Sequence, residues 1–183
     1  KMGLPGANIP WQVRRENMQD VCTNCHNIKY VENFYKQYDG LIDLYHEKFA
    51  DPGLELMALA KPLMKPVAFG NKIDWTWFEL WHHEGRRARH GVSMMGPDIT
   101  HWHGTYEIAK HWYVKFIPQL EELVAKGYKS DDPEKKAAAK ALEDKIDEVL
   151  NHNNHKWFLN KLDPEEIAKR KARAEEFKAR YKD

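Results

Sequence analysis

No segment of the chain alternates apolar and polar residues between turn signals, and β-branched residues are sparse, so the pattern predicts helices without a sheet. Residues 1–13, with Pro5, Gly6 and Pro10, read as an extended lead-in, and Arg14 to His26 as a short helix. From Tyr30 the apolar positions Tyr30, Phe34, Leu41, Leu44, Tyr45 and Phe49 recur at helical spacing. They predict a long helix that Pro52 and Gly53 interrupt or kink. The pattern continues over Leu54 to Ala60 and breaks at Pro62, Pro66 and Gly70. Asp74 is the expected N-cap of a helix through Trp75, Phe78 and Trp81 that ends at Gly91. Met94-Met95-Gly96-Pro97-Asp98 reads as a turn. Asp98 or Thr100 then caps a helix through Trp102, Tyr106, Tyr113 and Leu120 to Gly127, with a kink at Pro118.

Beyond Ser130 the pattern changes. Asp131-Asp132-Pro133-Glu134 and Asp163-Pro164-Glu165-Glu166 each place acids at the positive end of a helix dipole, predicting helices over about 133–150 and 164–181. The second offers a thin stripe of Ile167, Ala174, Phe177 and Tyr181, interrupted at Arg170 and Lys171, which suits a packing edge. The chain therefore divides into a helical region over 1–127 and a charged helical extension over 128–183. That extension reads either as a contact with a redox partner or, preferably, as a solvated face.

Composition narrows the classes. The 183 residues carry 29 basic and 28 acidic side chains, a formal charge of +1, which suits one domain and leaves no nucleic-acid footprint. Lys61, Lys65 and Lys72 interrupt the most hydrophobic region, so no segment reads as a membrane span. The sequence begins at Lys1 without an apolar signal segment, as expected of a processed chain or a piece of a longer one. Seven Trp and 10 His are a heavy load, and flat side chains in such number pack against a flat cofactor or fill a helical core.

The two cysteines decide between those uses. They lie in Cys22-Thr23-Asn24-Cys25-His26, the attachment signature of c-type haem. Thiols at this spacing reach both vinyl groups of one porphyrin, and the adjacent imidazole comes under the iron. A structural zinc site would need His residues to complete it, and a thioredoxin-type pair would need a βαβ setting that is missing from the pattern. The haem reading implies export to the periplasm or an equivalent compartment, where c-type haem is attached.

One haem uses one or two histidines, yet His82, His83, His90, His101, His103 and His111 all fall between residues 82 and 111. His83 and His90 share a helix face, whereas His101 and His103 point about opposite ways on a regular helix. The surplus points to haems carried on other segments or another polypeptide. Met94 and Met95 are thioether alternatives, with His preferred.

From Cys22 to about Leu123 the chain resembles the C-terminal part of the octahaem hydroxylamine oxidoreductase family, which includes hydrazine dehydrogenase. The resemblance rests on Cys22-Thr23-Asn24-Cys25-His26, Tyr38-Asp39, Arg86-Arg87-Ala88-Arg89-His90-Gly91, Met94-Met95-Gly96-Pro97-Asp98 and Trp102-His103-Gly104-Thr105-Tyr106-Glu107. It implies an all-α fold of the multihaem cytochrome c type, with long helices around covalently bound haem. It also implies a trimer-based exported assembly and an electron-transport oxidoreductase acting on hydroxylamine, hydrazine, nitrite or nitric oxide. Cys22 and Cys25 would hold the last haem with His26 proximal, and His90 and His103 match positions of distal ligands.

Two departures bear on function. Oxidative members carry a tyrosine cross-linked to the catalytic haem, and the position expected for it holds Ile99, which leans the reading towards reductive chemistry; Tyr106 is the nearest substitute. The chain also has one attachment motif where the family has eight, so the remaining haems belong upstream or to a partner subunit. The expected role of this segment is then a bis-His electron relay that is not catalytic alone and that also meets a redox partner protein. The alternative is a stand-alone monohaem c-type electron carrier.

Overall fold

The structure, a computed structural model, describes residues 8–180, and among them every regular element is helical. The expected Pro5–Gly6 lead-in and Tyr181 lie outside the described residues. Helix α1 spans Trp11–Thr23, three residues earlier than the pattern predicts, because Pro10 already takes the N-cap position and its carbonyl accepts from the Arg14 amide at 3.1 Å. Helix α2 spans Ile28–Tyr45 from an N-cap at Asn27, whose side chain accepts from the Lys29 amide.

Pro52 does not stop the chain. A π-turn over His46–Ala50 leads directly into α3, Asp51–Ala60, and Pro52 falls in its first turn, where the missing N–H leaves only the Lys48 carbonyl without a helical partner. A short 3₁₀ turn at Lys61–Leu63 then precedes α4, Lys72–Phe78. The cap of α4 is Asn71 rather than Asp74. Asp74 instead reaches back as the third helical residue and accepts from the Asn71 backbone N–H at 3.0 Å.

A second π-turn, Glu79–Glu84, joins α4 to α5, Gly85–Ser93. Gly91 does not end α5. The helix runs to Ser93 and stops at Met94–Met95, where Met95 adopts φ 53° and the Gly96 amide bonds the Gly91 carbonyl at 2.8 Å. After α6, Pro97–Thr100, the chain continues through a π-turn at His101–Thr105, α7 at Tyr106–His111, a π-turn at Trp112–Phe116 and α8 at Ile117–Tyr128. Pro118 again follows a π-turn, as Pro52 does. A turn closing each time from the amide of residue i to the carbonyl of i−5 widens the helix by one residue just before the ring arrives.

Helix α9, Pro133–Asn151, is capped by Asp132, whose carboxylate accepts from the Glu134 amide at 2.9 Å. One face of α9 joins the main core: Ala139, Leu142, Ile146, Val149 and Leu150 are buried with Leu56, Ala60, Trp112, Phe116, Ile117 and Leu120. Gly127 permits this approach, since a Cβ there would stand 2.7 Å from the Ala139 Cβ. Helix α10, Pro164–Arg180, buries nothing and is laced by pairs such as Glu166–Arg170 and Glu176–Arg180.

Burial is uneven along the chain. The core gathers α3, α8, α9 and the neighbouring π-turns, while α1 and α6 bury no residue. Exposed large hydrophobics include Trp11, Met18, Val21, Ile28, Tyr30, Met94, Ile99, Trp102 and Tyr106, all on or beside the elements that carry the cysteine and histidine motifs.

Candidate functional site

Cys22 sits in the last turn of α1, and its carbonyl accepts from the amides of both Cys25 and His26, at 3.2 and 3.0 Å. The Asn24 side chain closes the same turn by donating to the Asp20 and Val21 carbonyls. The five-residue motif is therefore a wound helix end, with both thiols free, Cys25 exposed and His26 exposed.

A polar anchor fixes α1 on α2. The Arg15 guanidinium donates to both carboxylate oxygens of Asp39, at 2.7 and 2.8 Å, and lies over the Trp11 and Tyr35 rings. Burial beside the Cys22 end of α1 raises the Tyr35 phenol above its ordinary value.

The His26 ring stacks on Tyr30 with centroids 4.8 Å apart, and the Tyr30 hydroxyl donates to the Met95 sulfur at 3.5 Å. Tyr30 and Met95 then wall an open, largely apolar groove of about 590 Å³, with Phe34, Leu41, Val92 and Pro97 among its other residues. Met95 is thus engaged as a wall of the groove and a hydroxyl acceptor, and Met94 is 80% exposed.

His90 and His103 belong to a second locus, the crossing of α5 with the helix that follows. Small residues set the crossing: a Cβ on Gly104 would lie 2.6 Å from the Ala88 Cα, and one on Gly91 would lie 2.9 Å from the Thr100 amide nitrogen. Across this seam Arg87 donates to Glu107 at 3.1 Å, and Glu107 lies 3.5 Å from the His103 Nδ1. His90 lines a small pocket with His82, His83, Arg86 and Arg87. His90 and His103 are therefore linked through Arg87 and Glu107, while His26 lies beside the groove; among the described residues no hydrogen bond or ring contact joins His26 to either. Ile99 is exposed on α6, and Tyr106 is exposed with its ring against Trp102 at 5.7 Å.

Two buried histidine pairs escape a reading of the sequence. Glu84 and His111, 27 residues apart, form a close carboxylate–imidazole pair, and burial pushes the Glu84 carboxyl up while His111 opposes it. His155 bonds the Tyr113 hydroxyl at 2.8 Å and the Lys48 carbonyl at 2.9 Å. Neither pair has a local signature, because each joins helices distant in sequence.

The donor set suits a c-type haem: two free thiols and an accessible imidazole on one helix end, beside a groove walled by apolar side chains. Among the described residues no three or more His, Cys, Asp or Glu come together to hold a metal ion. Among the described residues no helix is long and apolar enough to cross a membrane. No family model, curated protein or solved structure matches the chain.

Proposed function

We propose that this chain is the C-terminal segment or subunit of a multihaem c-type oxidoreductase acting on small nitrogen compounds, with its own haem serving as an electron relay. The observation that carries the reading is the Cys22–His26 turn, wound so that free thiols and an exposed imidazole share one helix end beside an apolar groove. Cys22 and Cys25 would hold the porphyrin, His26 would take the proximal side of the iron, and His90 and His103 would reach haems as distal ligands. A haem bound there supplies one-electron transfer.

This chain's residues supply the rest. Arg15 and Asp39 orient the helix that presents the thiols, and Tyr30 holds the His26 ring by stacking. The exposed aromatic surface from Trp11 to Tyr106, together with the exposed His83, His90, His101 and His103, supports an assembly in which further haems and another chain cover this face. In this reading the assembly is trimer-based, exported and served by a redox partner protein, and Ile99 favours reduction of nitrite, nitric oxide or hydroxylamine over oxidation.

A single attachment motif favours one other reading, a stand-alone monohaem carrier. Denaturing intact mass of every polypeptide in the native material, paired with total haem from the reduced pyridine complex, separates the two. One covalent haem on this chain with several on a companion or an upstream segment supports the oxidoreductase. One haem in the whole particle overturns it in favour of the carrier, and no covalent haem overturns both.

A further inference from the structure

Three histidines and two arginines of α5 and the π-turn before it line an open pocket of about 220 Å³: His82, His83, Arg86, Arg87 and His90, with no carboxylate among them. Adjacent guanidinium charges raise the local concentration of anions. Arg87 shares its charge with Glu107 through one nitrogen, which leaves other guanidinium donors. Among the described residues no carboxylate pairs with Arg86.

The His82 ring is held by stacking on Phe78, with centroids 4.5 Å apart and planes 14° from parallel, so it forms a fixed wall of the pocket. The volume suits a small group with a few waters and is too small for a porphyrin, since one water takes about 30 Å³. A metal ion is disfavoured, as these histidines do not form a metal-holding group.

We infer that this pocket binds a small oxyanion group, either a propionate of the haem that His90 would reach or a free anion such as nitrite or phosphate. The planar forks of Arg86 and Arg87 match a carboxylate or nitrite in two-point contact. The haem source rests on the function proposed above, whereas the pocket itself does not.

The test uses the native material, wild type and Arg86→Glu, with Arg86→Lys as a charge-preserving partner. Arg86 is exposed, so these variants are expected to keep the fold, which circular dichroism checks. Calorimetric titration with inorganic phosphate and a spectroelectrochemical titration of the haems are read together. If a propionate fills the pocket, phosphate fails to bind, and Arg86→Glu lowers the midpoint of one haem while Arg86→Lys does not. If the ligand is a free anion, phosphate binds, and Arg86→Glu weakens it at least tenfold. Phosphate binding indifferent to Arg86, or no binding with every haem midpoint unmoved, overturns the inference. A particle with a single haem removes the propionate source and the multihaem function together, and the phosphate titration alone then judges the pocket.

Discussion

His155 donates its Nε2–H to the carbonyl oxygen of Lys48 at 2.9 Å, and Lys48 is the residue to which Pro52, having no N–H, returns no helical bond. The other nitrogen, Nδ1, then accepts from the Tyr113 hydroxyl, which fixes the neutral tautomer of a side chain only 1% exposed. One imidazole ties the turn after α9 to the π-turn before α3 and satisfies a carbonyl where the proline interrupts the bonding pattern.

This geometry predicts acid sensitivity. Burial lowers His155 from 6.5 to about 4, and Tyr113 is pushed up to about 12 by the same desolvation. Between those two His155 values the unfolded chain takes up a proton that the folded chain refuses. Its contribution is therefore complete above the free value and falls as pH drops towards the folded one. The ceiling is about 3 kcal/mol. Urea midpoints at about pH 7 and about pH 5 should diverge in wild type and converge in His155→Gln. Equal pH slopes in both proteins would refute the assignment.

Two glycines should respond to alanine in opposite directions. Gly104→Ala places a methyl group 2.6 Å from the Ala88 Cα, against backbone that cannot yield, and should destabilise by about 2–4 kcal/mol. Gly40→Ala, inside α2 with nothing within 4 Å, should stabilise by about 0.5–1 kcal/mol. Denaturant unfolding of the two variants checks both signs.

Arg15→Gln should loosen α1 without threatening the fold. The Arg15–Asp39 pair is partly exposed and worth about 1 kcal/mol at most, and α1 buries nothing. Hydrogen exchange should rise across 11–23 while the global unfolding midpoint stays put. A matching fall in the midpoint would mean that α1 belongs to the cooperative core.

Glu84→Gln should keep the hydrogen bond to His111 and remove a buried carboxyl whose charged form is disfavoured. Because burial raises the Glu84 carboxyl, wild type should lose stability relative to Glu84→Gln as pH rises through the folded-state value. The difference in melting temperature across a pH series reads this directly, and a constant difference would contradict it.

On the haem proposal, His26→Ala should leave the porphyrin attached, since the thioethers do not need the imidazole once formed, and should change the absorption spectrum of one haem. An unchanged spectrum would exclude His26 as a ligand.

The helical class was legible because apolar residues recur at three and four, and the starts at Pro133 and Pro164 were legible because acids and prolines announce them locally. The helix expected to carry the cysteines was likewise legible, but it runs over Trp11–Thr23 instead of Arg14 to His26. Gly91 misled for a physical reason: it looks like a terminator, but its lack of a side chain serves the close passage of Thr100. Asp74 misled because the capping box has two members, and the acid is the second of them. The π-turns were invisible, since each is stabilised by what packs beside it and not by a residue preference. The pairing of Glu84 with His111 could be found only once the helices had crossed.

The π-turns at 46–50, 79–84, 101–105 and 112–116 carry a consequence for heredity. Each holds one residue more than a regular helix needs, so each is a place where gain or loss of a single codon leaves the helix continuous but rotates everything after it by about 100°. Deleting one residue from 101–105 would keep a straight helix and turn the downstream helix face, Ile108 and Trp112 included, out of register with the core. In this chain, slippage by one residue is a change of orientation.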